Sequence, residues 1–124
     1  MIDFQNASFF KLKQVAENDV SGTLSNLLIP GEQIIGAYKG IRDSVTFTTK
    51  RVIAVNVQGF TGKKKDFTSL PYSKIQAFSI ETAGVFDLDA ELEIYFSGLG
   101  KVKFEFTGNC DIEKIGQTIG SYVL

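Results

Sequence analysis

The spacing of apolar residues changes twice along this chain, and each change marks a different kind of secondary structure. Between residues 32 and 106, apolar and polar positions alternate or form β-branched runs, which is typical of strands. Residues 7–28 and 109–124 instead place apolar residues three or four positions apart, as in a helix. The pattern therefore predicts a helical N-terminus, a block of strands and a C-terminal amphipathic helix with an apolar stripe of Ile112, Ile115, Ile119 and Tyr122 or Val123.

The central block divides into seven predicted strands at its glycine, proline and polar breaks, namely residues 33–41, 44–48, 51–57, 63–70, 74–82, 87–96 and 101–106. Antiparallel strands leave edges exposed, and closing toward a barrel removes them. The isoleucine stripe of the last helix would cover one open end. We thus expect a mainly β protein, with a seven-stranded antiparallel barrel capped by a C-terminal helix (31–124) behind an N-terminal helical extension (1–30).

The last two strands give the most specific structural prediction. Even-numbered apolar residues point inward in both strands: Leu88, Leu92, Ile94 and Phe96 in the first, and Val102, Phe104 and Phe106 in the second. Directly opposed residues of a hairpin share a face, so the loop must contain an odd number of residues. Three residues around Gly98, with a glycine in the left-handed region, meet this condition.

Composition narrows the function mainly by exclusion. The 124 residues, 44% of them hydrophobic, suffice for one domain with its own core. A net charge of −1 gives no overall attraction to nucleic acid. The chain contains no histidine and a single cysteine, Cys110. The position of Cys110 at a helix start favours a thiolate. The composition, however, provides no histidine to act as its base and no second cysteine to form a disulfide. We therefore expect a protein that is not an enzyme and that binds no cofactor or metal. We also expect it to be cytoplasmic, because the N-terminal residues carry Asp3 and lack the basic region of a signal peptide.

One run of like charge, "TGKKKDF" at 61–67, is the clearest candidate for a binding site. It is not a nucleotide-binding loop, because two residues rather than four separate Gly59 from Gly62. Strand alternation sends one lysine of the run to the face opposite the other two. The candidates for binding anionic lipid or another anion are Lys63, Lys64, Lys65 and Arg42. The alternative is that these lysines only protect an edge strand from stray pairing.

A run of carboxylates, from Asp87 to Glu93 by twos, lies on one face of the sixth predicted strand. A straight strand spreads such groups too far apart for an EF-hand-like calcium site. We expect a solvated face that is partly paired with Lys101 and Lys103 across the hairpin. A further possibility is that this face receives the lysines of a neighbouring subunit.

Several motifs in order carry a resemblance to a known family. They are "IRD" (41–43), "FTTKR" (47–51), "QGFTGKKK" (58–65), "PYSKI" (71–75) and "ETAGVFDLDAEL" (81–92). Together they resemble the bacterial pleckstrin-homology (PH) domain family, a family long described as having no known function. The resemblance implies a PH-like barrel with a C-terminal helix, a stand-alone domain and ring-like homo-oligomers, and it does not imply an enzyme.

We therefore expect an interaction module that self-assembles, with weak binding of anionic lipid as the alternative. Apolar residues in turns or at strand ends stabilise a monomer little, and they are candidate anchors of an interface. The predicted interface consists of Phe60, Lys63, Lys65, Val85, Phe86, Asp87, Asp89 and Leu99. A protein partner other than a second copy is also possible, whereas nucleic acid is not expected.

Overall fold

The computed structural model describes residues 1–7 and 9–124. Within these residues the chain forms β1 (Phe9–Val15), α1 (Asn18–Leu24), β2 (Ile34–Lys39), β3 (Asp43–Thr48), β4 (Arg51–Gln58), β5 (Lys64–Pro71), a 3₁₀ turn (Tyr72–Lys74), β6 (Ile75–Glu81), β7 (Ala90–Phe96), β8 (Gly100–Phe106) and α2 (Ile112–Val123). All strands belong to one sheet in the order β5-β4-β3-β2-β1-β8-β7-β6. Neighbouring strands are antiparallel except β1 and β8, which are parallel.

The first strand corrects the predicted helix over residues 7–28. Among the described residues of that range only α1 is helical, whereas β1 lies in the sheet between β2 and β8. An irregularity between Phe9 and Leu12, with Lys11 at a φ of 55°, lets both apolar side chains reach the core although they are three positions apart. A β-bulge thus produces the spacing that is otherwise typical of a helix. The division at residue 30 stays a prediction, but the segment before it contributes to the same sheet.

The described residues form a sheet of eight strands rather than the seven predicted, and its ladder stays open. In the described part of the chain no strand pairing joins β5 to β6. Pro71 ends β5, and the 3₁₀ turn redirects the chain before β6 begins. The N-terminal segment contacts both halves of the sheet, because the Ile2 N–H donates to Thr68 Oγ1 (3.0 Å) and Gln5 Nε2 donates to the Lys101 carbonyl (3.0 Å).

The core confirms the predicted stripe of the last helix. Ile112, Ile115 and Ile119 are buried in the main apolar cluster, and Val123, rather than the exposed Tyr122, packs against it. The helix lies against β6, the 3₁₀ turn and β7. Gly116 lets α2 lie close to the sheet, since a Cβ there would come within 3.2 Å of the Ile80 side chain. A second cluster on the other face of the sheet packs α1 against β2 and β4, through Val20, Leu24, Ala37, Ile53 and Val55.

The predicted β7–β8 hairpin is confirmed. Phe96 pairs with Gly100 across a three-residue loop in which Gly98 has a φ of 85°. Inward-facing residues from Leu92 to Phe106 are buried as expected. Leu88 is the exception and corrects the prediction: it is 67% exposed, because β7 begins only at Ala90.

A buried carboxylate fastens the segment between α1 and β2. The Glu32 side chain is completely buried and accepts hydrogen bonds from Arg51 Nη2 (2.9 Å) and Nε (2.9 Å) and from Thr48 Oγ1 (2.6 Å). The Ile29 N–H adds a fourth bond (3.1 Å). Burial by itself would raise the pKa of Glu32, but the Arg51 and Thr48 hydrogen bonds outweigh it and lower the pKa to about 2. The chain thus supplies every partner that this carboxylate needs.

Candidate functional site

Two loops meet at one end of the sheet. The β2–β3 turn (40–42) and the β4–β5 turn (59–63) are held together because the Arg42 guanidinium donates to the Gly59 carbonyl. The Val57 N–H also donates to the Arg42 carbonyl (3.1 Å). Gly59 and Gly62 have φ values of 73° and 70°, which glycine adopts without strain. We call this end, with the flanking residues Lys39 and Lys65, the basic tip.

The basic tip combines exposed apolar side chains with positive charge. Ile41 is 96% exposed and Phe60 is fully exposed. A cleft of about 200 Å³ between the tip and α1 is lined by Lys39, Arg42 and Lys65, together with carboxylates and apolar side chains of the surrounding elements. Two of the predicted anion-binding residues, Arg42 and Lys65, are thus brought together.

The lysine run divides as strand alternation predicts. Lys65 pairs with Val57, and two positions further along β5, Phe67 packs against the α1 cluster, so Lys65 lies on the α1 side of the sheet. Lys64 pairs with Gln58 and lies on the opposite side. Lys63 is exposed in the turn just before β5. The three lysines therefore do not line one cleft.

A second group of exposed apolar side chains lies in the β6–β7 loop (82–89). Phe86 is fully exposed and Val85 is 86% exposed. The loop is closed by a hydrogen bond from the Gly84 N–H to the Asp87 carbonyl (2.6 Å). Asp87 and Asp89, predicted on a strand, belong instead to this loop.

Carboxylates surround this loop. Glu81, Glu91 and Glu105 lie directly opposite one another on β6, β7 and β8. Burial, followed by the charge of Asp89 and its hydrogen bond, raises the pKa of Glu105, and the neighbouring carboxylates Glu91 and Asp87 add to the effect. We call the loop 82–89 together with these three glutamates the acidic end.

Lysines of β8 compensate only part of this charge. Lys103 Nζ lies 3.3 Å from Glu91 Oε1, and Lys101 Nζ lies 3.6 Å from Glu93 Oε2. These pairs confirm the predicted pairing across the hairpin. Such exposed pairs contribute little free energy. In the described part of the chain no group of three or more carboxylate, cysteine or histidine side chains is arranged to hold a metal ion.

The basic tip and the loop of the acidic end leave the sheet in opposite directions along the strands. β2 runs antiparallel to β1 and enters the tip beside the first residues of β1, since a Cβ on Gly40 would lie 3.3 Å from the Phe10 carbonyl oxygen. β8 runs parallel to β1, and its last residue, Phe106, pairs with Leu12 of β1 and with Ala90 of β7. The loop 82–89 precedes Ala90 and therefore leaves the sheet in the direction in which β1 and β8 run.

The remaining candidates lie elsewhere. Leu99 is partly buried against the main core and offers less free surface than the other predicted anchors. Burial, together with the charge of Asp111, raises the pKa of Cys110, so the expectation of a favoured thiolate is wrong. Lys39, Glu81 and Glu105 were not among the site residues predicted from the sequence. The cross-strand register of the last hairpin was the signal that could have placed Glu105 opposite Glu91.

Comparison with known proteins decides the family. The sequence model of the bacterial PH domain matches residues 3–123. The chain is a member of the bacterial PH domain family. Two uncharacterized Bacillus subtilis proteins are similar to it: YjqA is 48% identical over 93 residues (75% of this chain, 70% of YjqA), and YozO is 36% identical over 92 residues (74% and 79%).

Solved structures agree with this family assignment. A protein with a pleckstrin-homology domain from Shewanella loihica is 37% identical, with a TM-score of 0.81 over 93% of this chain and 99% of its own. A pleckstrin-homology domain from Shewanella amazonensis is 40% identical, with a TM-score of 0.68 over 96% of this chain and 93% of its own. The bacterial PH fold is thereby established. Among the described residues, no helix has the length and apolar character needed to cross a membrane.

Proposed function

We propose that this bacterial PH domain is a non-catalytic assembly module in which the basic tip of one copy binds the acidic end of the next. The observation that carries the proposal is the presence of two exposed apolar groups with opposite charge, on loops that leave the sheet in opposite directions. Phe60 and Phe86, both fully exposed, are the centres of these groups. A monomer gains no stability from such side chains, whereas an interface buries them.

The two ends are complementary in both apolar surface and charge. Burying one aromatic ring contributes about 1.5–3 kcal/mol, so Phe60 and Phe86 could anchor a contact together. Lys63 and Lys65 would meet Asp87 and Asp89, which orients the encounter and excludes copies that approach with like ends. The charges therefore give direction to the contact, and the rings give it affinity.

A contact between two different surfaces propagates from copy to copy. It closes into a ring when the rotation between neighbours allows closure, and otherwise it forms a filament. We favour the ring, because the family resemblance implies ring-like homo-oligomers. The same surface pair explains why this chain carries an apolar group at each end rather than at one.

The non-catalytic part of the proposal has separate support. The chain contains no histidine, and the pKa of its single cysteine is raised rather than lowered. PH domains are generally non-catalytic modules, and the Bacillus subtilis relatives are named only as uncharacterized proteins. We propose that assembly takes place in the cytoplasm, as the sequence led us to expect.

Light scattering coupled to size-exclusion chromatography tests the proposal. The wild-type chain should elute with a mass several times 13.6 kDa, and Phe60→Asp should elute as a monomer. Leu124→Asp is the matched control, because Leu124 is also almost fully exposed but lies outside both ends, and it should keep the wild-type mass. A strictly monomeric wild-type protein at high concentration would refute self-assembly.

Binding of anionic lipid is the second candidate, and one observation favours it. Ile41 and Phe60 project beside the basic cleft, so the tip could insert apolar side chains while its lysines and Arg42 contact lipid headgroups. This account uses the basic tip but leaves the acidic end without a role. We therefore rank it below self-assembly.

Vesicle co-sedimentation separates the two candidates. Lipid binding predicts salt-sensitive sedimentation with phosphatidylserine vesicles and none with neutral vesicles. Lys63→Glu with Lys65→Glu should abolish it, whereas Lys74→Glu with Lys114→Glu, which changes the net charge equally, should not. Failure to sediment with anionic vesicles at low salt would eliminate this candidate and leave self-assembly untouched.

A further inference from the structure

The sheet ends at β6, and the outer edge of this strand is free. Within the described residues, β6 pairs only with β7, and outside this ladder the backbone of residues 75–81 makes only the hydrogen bond from the Ile75 N–H to the Tyr72 carbonyl. An unpaired edge presents alternating N–H and C=O groups that another extended segment can satisfy. The edge lies outside the basic tip and outside the loop 82–89, and it shares only its last residue, Glu81, with the acidic end.

The other edge of the sheet, β5, is protected in ways that β6 is not. β5 carries Lys64 and Lys65 at its start and Pro71 at its end, and such residues discourage strand pairing. The N-terminal amine also lies 3.1 Å from Asp66, and Ile2 bonds Thr68, so the first residues cover part of this strand. β6, with the sequence IQAFSIE, contains neither lysine nor proline.

The surface beside the β6 edge is apolar and only half covered. Phe78 and Ile80 point toward α2 and remain partly exposed. α2 presents Gly116 and Gly120 to these two side chains, which pack against the main apolar cluster on their inner side. An added strand with apolar residues on the same face would complete this cover.

The carboxylates beside the edge determine which charged residues an added strand should contain. Glu81 is the outermost member of the row that continues through Glu91 to Glu105. Like charges directly opposite one another on neighbouring strands are unfavourable, and opposite charges are favourable. A lysine or arginine placed opposite Glu81 would therefore reduce the repulsion within this row of carboxylates, whereas an acidic residue would increase it.

We propose that the free edge of β6 binds an extended segment of a partner protein by strand addition. The segment alternates apolar residues, which cover Phe78 and Ile80, with basic residues, one of which lies opposite Glu81. The β5 edge of a second copy is a poorer occupant, because its own N-terminal residues already cover part of it. This binding mode does not depend on head-to-tail assembly.

Titration with synthetic peptides tests the proposal on the full chain. The probe is a heptapeptide that alternates valine and lysine, with blocked ends, and its binding is followed by fluorescence anisotropy. A matched peptide with glutamate in place of lysine should bind roughly three- to tenfold more weakly or not at all. Replacing the central valine by proline, which removes one N–H, should abolish binding.

Two variants and an exchange measurement locate the site. Glu81→Lys should reverse the preference between the lysine and glutamate peptides, whereas Glu113→Lys, at an exposed carboxylate of α2, should leave it unchanged. Amide hydrogen exchange should slow in Ile75–Glu81 when the lysine peptide binds. Equal binding of the two charged peptides, binding that tolerates proline, or protection elsewhere in the chain would overturn the proposal. Phe60→Asp should bind the peptide as wild type does, which separates this result from the outcome for self-assembly.

Discussion

Glu32 and Glu105 place the same functional group in opposite environments. Glu32 is buried among an arginine, a hydroxyl and a backbone N–H, which lower its pKa to about 2. Glu105 is partly buried beside Asp89 and Glu91, and its pKa is raised. The chain provides the first carboxylate with all its partners and surrounds the second with like charges.

The difference indicates which region finds all the partners of its charged groups within one chain. The Glu32 network holds the α1–β2 segment to β4 and leaves no binding capacity for another molecule. The acidic end keeps excess negative charge next to exposed apolar side chains, a combination that a partner with a basic and apolar surface would satisfy. The comparison thus separates a region that stabilises the fold from one that we propose binds.

The largest loss of stability is expected when Arg51, the cationic partner of Glu32, is replaced. Arg51→Met leaves a buried carboxylate without a charged partner and should destabilise the protein by about 3–5 kcal/mol. The double variant Arg51→Met with Glu32→Met should recover most of this loss, because no buried charge remains. Urea denaturation measures both effects, and Lys50→Met, at the neighbouring exposed position, serves as the control. A change below about 1 kcal/mol for Arg51→Met would contradict the assigned role.

Acid should weaken the protein through the same carboxylate. The folded-state pKa of Glu32 is below its unfolded value, so its contribution to stability is present above about pH 4.5 and is lost as the pH falls toward 2. The urea midpoint should drop over this range in the wild-type chain. The drop should be smaller in the double variant without Glu32 and Arg51. Equal acid sensitivity of the two proteins would show that Glu32 does not control it.

At the acidic end we expect a substitution to increase the stability slightly rather than to decrease it. Glu105 has a raised folded-state pKa, so its ionised form costs stability above that pKa and the cost disappears as the pH falls. Glu105→Gln should therefore raise the stability at neutral pH by less than about 1 kcal/mol. Thermal denaturation in the Phe60→Asp background, where assembly does not contribute, measures this gain. Destabilisation by Glu105→Gln would mean that the carboxylate is satisfied within one chain.

The sequence predicted the elements whose pattern is regular. The β7–β8 hairpin and the isoleucine stripe of α2 were predictable, because inward residues recur at constant intervals and a glycine marks the turn. β1 was missed because its bulge at Lys11 gives Phe9 and Leu12 a helical spacing. The spacing of apolar residues within one segment does not distinguish a bulged strand from a helix, because the bulge depends on the neighbouring strand.

The candidate surfaces were predictable only in part. Exposure of Phe60, Val85 and Phe86 followed from their places in turns. Two arrangements depend on contacts that the sequence did not indicate: the cleft shared by Arg42 and Lys65, and the position of Glu81 opposite Glu91. Side-chain alternation within a single strand carries no information about such contacts.

The most direct test of head-to-tail assembly mixes two variants that each lose one end. Phe60→Asp removes the basic tip and keeps the acidic end, whereas Phe86→Asp does the reverse. Each alone should be a monomer of 13.6 kDa by light scattering, and an equimolar mixture should form a heterodimer of twice that mass, since one intact contact remains. A mixture that stays monomeric, or a single variant that keeps the wild-type mass, would contradict the proposed contact.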